Sequence, residues 1–224
     1  MPDIRYEIVQ AGESRSFPQS HPFLEQAAAQ GEALFYLGTG AGRAFGKGEG
    51  HESRTFVAIE LGMECLGLHT GESRGVEGSN IVGFARFRLG DADPSPLVEL
   101  VRQPGTHPAA IEAARAVFQA AGLVVAVCND FPGRIVDRLI RPYFNAALRR
   151  LDEKLASADD LDKTLCLGLG YPEGPISLLE RTGLANHFHV TEALHEALGQ
   201  EAYAPARRAR VAADRAQRVK AGTP

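Results

Sequence analysis

Hydrophobic and polar positions change rhythm near the middle of the chain. In the first half, short apolar runs alternate with polar stretches that carry glycine and proline, the pattern of strands joined by turns. Ile4, Tyr6 and Ile8 alternate with Arg5, Glu7 and Val9, which predicts a half-buried strand. Residues 33–37, 55–61 and 79–87 (SNIVGFARF) predict further strands, and residues 23–30, entered through Pro22, predict a short helix that stops at Gly31. GTGAGRAFGKGEG is too rich in glycine to hold regular structure. MECLGLHTGESRGVEG starts apolar enough for a strand and ends as loop. The clearest helix covers 108–121, with proline at its first position and Gly122 just past its end. Ala110, Ala114, Val117, Phe118 and Ala121 form its buried face. Residues 123–128 (LVVAVC) are continuously apolar and predict a strand buried on both faces of a mostly parallel sheet.

From Asn129 the period becomes helical. In PGRIVDRLIRPYFNAALRRLDEKLA the pairs Ile135/Val136, Leu139/Ile140, Tyr143/Phe144 and Ala147/Leu148 recur every four residues, followed by Leu151 and Leu155. They predict one broad buried stripe on a long helix, bent at Pro142. Ser157 with Asp160 forms a capping box for the next helix, which ends at Gly168 and Gly170. GPISLLERTGLANHFHVTEALHEALG supplies two more helices broken near Gly183, and the tail from Pro205 is Arg-rich and helix-prone. The fold class is therefore α/β followed by all-α, with residues 1–129 in the first domain and 130–224 in the second.

Composition narrows the function classes. With 224 residues, 44% hydrophobic and 23% charged, the chain reads as a soluble globular protein. A formal net charge of -4 gives no basic footprint for nucleic acid. No apolar run approaches the roughly 18 residues of a membrane span, and MPDIRYEIVQ has no secretory pattern. Cys65, Cys128 and Cys166 are dispersed and odd in number, as expected of reduced packing cysteines in a cytoplasmic protein. His187 and His189 alternate on a predicted helix and so point to different faces, with no Cys or carboxylate cluster beside them; no metal site is expected.

Several motifs in order carry a resemblance. DFPGRIVDRLIRPYFNAALR resembles the opening of the C-terminal domain of 3-hydroxyacyl-CoA dehydrogenases, and LGLGYPEGPISLLERTGL and ALGQEAYAP follow at the family's spacing. Upstream, IVGFARF and PLVELVRQPGTHPAAIEAARAVFQAAGLVVAV resemble the last part of the family's dinucleotide-binding domain. The resemblance spans residues 80–205. It implies a reduced Rossmann-like domain, like the second half of long two-copy members, followed by the helical domain. It also implies a homodimer formed through that helical domain.

The beginning of the chain departs from the family. A working NAD domain runs a strand straight into G-x-G-x-x-G at a helix start, where the helix N-terminus holds the pyrophosphate. Here the first strand meets QAGESRSFPQSHP, and the later LGTGAGRAFG has Gly38, Gly40 and Gly42 but Arg43 in the last glycine's place, with no helix expected after it. No residue is assigned to cofactor, and NAD is expected only of an active enzyme.

The chemistry departs as well. The family passes hydride from a 3-hydroxyl to NAD, which requires a general base, a histidine held by a carboxylate. The resemblance puts that base at position 85, which is Ala85, and its carboxylate at Glu99 in LVELV. Without its histidine, Glu99 reads first as a solvated or salt-bridged residue at a strand end. The family's helical-domain Asn aligns with Asp137, which lacks the amide donor but suits the first turn of a helix in any role. The family's hydroxyl loop aligns loosely with His69-Thr70-Gly71. His69 is the best substitute base, and a surface histidine is its plainer reading. Arg207, Arg208, Arg210, Arg215, Arg218 and Lys220 would suit CoA phosphates, although such a run reads first as a solvated helix face.

Two readings stay open. One is a non-catalytic family member, an acyl-CoA-binding or dimer-forming module beside a catalytic dehydrogenase. The other is an active NAD-dependent 3-hydroxyacyl-CoA dehydrogenase with a relocated base.

Overall fold

The computed structural model describes residues 4–72 and 80–222; the loop end of MECLGLHTGESRGVEG and the first residue of SNIVGFARF lie outside them. The chain divides into two compact units, Met1–Arg88 with Pro94–Arg134 and Leu89–Asp93 with Ile135–Pro224.

The first unit is built on a six-stranded sheet of β1 (Tyr6–Gln10), β2 (Ala33–Leu37), β3 (Phe56–Glu60), β4 (Ile81–Arg86), β5 (Leu97–Arg102) and β6 (Val124–Asn129). The strands lie in chain order, parallel at each pairing except the antiparallel β4–β5 pair. Because successive side chains alternate faces, β2 sends Ala33, Phe35 and Leu37 into one core and Leu34 and Tyr36 into another. The first core is covered by α1 (Pro22–Glu25) and α4 (Pro108–Ala120), which bring Phe23 and Phe118. The second is covered by α2 (Ala41–Phe45). Phe35 is the hub of the first, meeting Tyr6, Phe23, Phe56, Phe84 and Phe118 edge to face at 4.9–5.9 Å.

Three expectations in this unit are corrected. The glycine-rich stretch does hold a short helix, α2, with Gly38 and Gly40 packed on the main chain of Gly12 and Ala11 and Gly42 on the His69 ring. The apolar start of MECLGLH is no strand but leads into one helical turn, α3 (Gly67–Thr70), whose first amides bond the Asp130 carboxylate at 2.7 Å from both Leu66 and Gly67. And β6 is an edge strand, with Val124 exposed, so the run LVVAVC is not buried on both faces.

The second unit contains α5 (Val136–Asp152), α6 (Ala158–Leu169), α7 (Pro175–Thr182), α8 (Leu184–Leu198) and α9 (Arg207–Lys220). The Ser157/Asp160 capping box forms, with the Asp160 amide donating to Ser157 Oγ at 3.1 Å. Asp162 of α6 reaches the start of α7 and accepts from the amides of Ile176 and Ser177, both at 2.9 Å, filling part of the donor set a helix leaves open there. α5 runs through Pro142. Proline has no N–H to give the Arg138 carbonyl one turn back, and the Tyr203 hydroxyl donates to it instead at 3.1 Å.

The predicted stripe of α5 is rotated. Its buried face is Asp137, Arg141, Phe144, Asn145 and Leu148, whereas Leu139 is 73% exposed. Apolar periodicity misplaced this face because three of its five members are polar, with Arg141 bonded to Asp137 and Asn145 to His187 and the carbonyls of Ala202 and Ala204.

Truncating the hub, Phe35→Ala, is expected to destabilise the first unit by about 3–5 kcal/mol. Removing the cap with Ser157→Ala should cost the helical unit about 1 kcal/mol. Urea titration of each variant against the parent chain checks both values.

Candidate functional site

The antiparallel pairing of β4 with β5 sets Ala85 directly opposite Glu99. Directly opposed residues share a face with their Cβ atoms about 5 Å apart, so the Ala85 methyl faces the Glu99 side chain across the pair. Glu99 is neither solvated nor at a strand end: it lies within β5, 2% exposed. Its Oε2 lies 3.4 Å from Nε of Arg134, which is itself buried. Arg134 holds φ at 50°, the left-handed region that non-glycine residues seldom adopt, directly after Gly133 at 74°. Its Nη1 is buried without a hydrogen-bond partner. A cation is thus delivered to Glu99 at some cost in backbone strain and unmet donor capacity.

Asp137 lies in the helical unit, in the first turn of α5 as expected, and is buried. One turn on, Arg141 is 1% exposed and donates through Nε to Asp137 Oδ1 at 2.7 Å. Arg141 Nη1 lies 3.1 Å from His187 Nδ1, His187 Nε2 lies 3.0 Å from Asn145 Oδ1, and the Asn145 amide donates to the carbonyls of Ala202 and Ala204 at 3.1 Å. A guanidinium only donates, so His187 Nδ1 accepts and the ring proton sits on Nε2. Burial and the adjacent guanidinium push the His187 pKa down to about 3, so the ring stays neutral. Sequence reading singled out Asp137, considered His187 only as a metal ligand, and missed Arg141 and Asn145. Spacing on α5 was the available signal for those two, since positions 137, 141 and 145 share one helical face.

His69 is brought neither to Ala85 nor to Glu99. It lies in α3 and lines a crevice of about 460 Å³ with Glu13, Arg15, Arg43, Glu60 and Glu64. The crevice opens beyond the carboxyl ends of β1, β2 and β3, the edge at which open α/β sheets bind ligands. His69 Nε2 is 3.6 Å from Glu64 Oε1, buried and without a hydrogen bond. Its ring rests on Gly42, where any Cβ would overlap it. Thr70 donates through Oγ1 to Gln103 Oε1 at 2.7 Å, so that hydroxyl is engaged within the fold.

The first amides of the glycine loop at this crevice are not open to the phosphates of a dinucleotide. The amides of residues 38–41 are all taken by the chain: Gly38 by Glu60 Oε2 at 2.6 Å, Thr39 by the Glu13 carbonyl, Gly40 by the Ala11 carbonyl and Ala41 by the Gly38 carbonyl. Gly38, at φ 98°, is glycine because a Cβ would overlap the Gly12 carbonyl, so its close approach is to its own main chain. The strand order also runs from β1 to β6 without the reversal at which such sheets hold dinucleotides.

Of the basic run, three members are tied into the fold. Arg207 and Arg208 bind Asp152 at 2.8 and 2.6 Å, and Arg210 lies over the Phe188 ring. Cys65, Cys128 and Cys166 are free, and burial pushes the thiols of Cys65 and Cys128 up to about 11. Among the described residues, no group of three or more His, Cys, Asp and Glu is placed to hold a metal.

A mixed α/β unit with a following helical unit defines a two-part protein of the Rossmann-plus-helical class. Residues 133–223 match the 3-hydroxyacyl-CoA dehydrogenase C-terminal domain. The chain is 36% identical over 109 residues to 3-hydroxybutyryl-CoA dehydrogenase of Bradyrhizobium diazoefficiens, covering 49% of this chain and 37% of that protein. It is 37% identical over 100 residues to human mitochondrial hydroxyacyl-coenzyme A dehydrogenase, covering 45% and 32%. In each alignment the chain thus spans well under half of the relative. The structure of (S)-3-hydroxybutyryl-CoA dehydrogenase from Ralstonia eutropha aligns over 86% of this chain and 66% of that one, with a TM-score of 0.67 at 24% identity, a likeness of fold.

Breaking the buried pair with Arg134→Met is expected to cost about 3–5 kcal/mol, and Glu99→Leu added to it should return most of the loss. A double-mutant cycle in urea measures both. The neutral His187 gives a pH signature. Its folded pKa is below the ordinary 6.5, so the unfolded chain binds the extra proton, and the stability present above 6.5 is lost progressively toward pH 3. Between pH 6 and 5 this single group should cost on the order of 1 kcal/mol per pH unit. His187→Gln should remove that part of the slope.

Proposed function

We propose that this chain is a non-catalytic member of the 3-hydroxyacyl-CoA dehydrogenase family, an acyl-CoA-binding or dimer-forming module working beside a catalytic dehydrogenase. One observation carries the reading: Ala85 faces Glu99 across the β4–β5 pair while Glu99 is bound to Arg134. Oxidation of a 3-hydroxyl needs a group that accepts its proton as hydride leaves. A methyl cannot accept one, and a carboxylate held by a buried guanidinium has no histidine to orient. Asp137, aligned with the family's Asn, is likewise neutralised by Arg141.

Dimer formation through the helical unit is part of this reading. Leu139, Leu155, Leu167 and Leu169 of that unit are exposed, Leu167 at 87%. A cytoplasmic location belongs to it too, resting on the free cysteines. No helix among the described residues is long and apolar enough to cross a membrane.

A second reading keeps the activity, with NAD as hydride acceptor and His69 as base. It is favoured by the placing of His69 beside Glu64 in the crevice at the strand ends.

The deciding assay is NADH oxidation with acetoacetyl-CoA at high protein concentration. No rate above background is expected. A rate that scales with protein and vanishes in His69→Ala would overturn the non-catalytic reading in favour of the second. For the assembly, light scattering should give the mass of a dimer, and Leu139→Glu with Leu167→Glu should halve it.

A further inference from the structure

We propose that Glu60 is the resident anion of the glycine loop, an internal carboxylate in the role of a bound phosphate, so that the crevice takes no dinucleotide. The inference stands on the α/β unit alone and does not depend on whether the helical unit binds acyl-CoA.

Glu60 closes β3 and is 6% exposed. Its Oε2 accepts from the Gly38 amide at 2.6 Å, and its Oε1 accepts from the Ser16 amide at 2.7 Å and Ser14 Oγ at 3.0 Å. These donors come from two separate connections, the segment after β1 and the loop after β2. That is how a phosphate site is assembled, from loop amides and a hydroxyl converging on one negative group. Charge-assisted hydrogen bonds of this kind are the strong ones. Here the negative group is covalently part of β3, so no ligand is needed to hold the segments together.

An incoming phosphate would meet the same donors already filled and a carboxylate in its place. Glu13 and Glu64 line the same crevice and add to the repulsion, against Arg15, whose Nη2 donates to the Arg88 carbonyl, and Arg43. The loop amides from Thr39 to Ala41 are bonded to main-chain carbonyls, and the next position, Gly42, is covered by the His69 ring.

The test has two arms. In the first, NADH is titrated into the full chain while its fluorescence and the melting temperature of the protein are followed; neither should change up to millimolar concentration. A saturable change would overturn the proposal, and would do so even if acetoacetyl-CoA were not turned over, leaving the non-catalytic reading in place. In the second, Glu60→Ala strands Gly38 N, Ser16 N and Ser14 Oγ, and its melting temperature should fall. Sodium formate, whose head group is that of the lost side chain, should restore most of the fall saturably, whereas sodium chloride at equal ionic strength should not, and the parent chain should respond to neither. A Glu60→Ala protein as stable as the parent, or one that formate and chloride affect alike, would overturn the proposal. Should that variant not fold, the NADH titration of the parent chain still decides.

Discussion

An ionised carboxylate inside a protein must be met by a cation or by converging donors, because leaving it bare costs more than the net stability of most domains. This fold meets that requirement repeatedly and entirely with its own groups. Glu99 takes Arg134, Asp137 takes Arg141, Glu60 takes two amides and a hydroxyl, and Asp162 takes the first turn of α7. The rest follows from these ties: the turn after β6 is wound so that Arg134 arrives at Glu99, and α5 is rotated so that its polar residues face inward.

The same accounting bears on chemistry. Acidic residues that line an active site work because part of their bonding capacity is kept for substrate, cofactor or a catalytic partner. Here the acids at the family-aligned positions are committed internally. The unmet capacity among the described residues lies instead on other groups, such as Arg134 Nη1 and His69 Nε2. The alignment with the Ralstonia eutropha structure extends over most of the chain and is a likeness of fold; within that fold Glu99 and Asp137 are each held in a buried ion pair.

Much of the scaffold was legible in the sequence. Residues 33–37 form β2 with the expected bounds, Pro108 opens α4, Ser157 caps α6, and Gly183 separates α7 from α8. These features are local, written in turn chemistry and in periods of two or 3.6 residues. What escaped depends on distant partners. Glu60 looks like any charged strand end until Ser14, Ser16 and Gly38 are seen around it. Leu139 fits an apolar stripe, yet the stripe lost to a polar face that only His187, some forty positions on, makes buriable. Gly38 was legible as a loop residue, but neither the helix at Gly42 nor the reason for the two glycines was, since the main chain at Gly12 and the ring of His69 come from other connections.

The chain from Arg141 through His187 to Asn145 has a further consequence. Because a guanidinium stands at one end and carbonyl groups at the other, every proton along it points the same way. The direction is fixed by composition alone, and no shift of protons can reverse it. The network therefore tells near-isosteres apart. At position 145 an aspartate has the shape of asparagine, yet it would turn an acceptor oxygen toward two carbonyls in place of the donating amide. Identity at that position is dictated by hydrogen count and not by size.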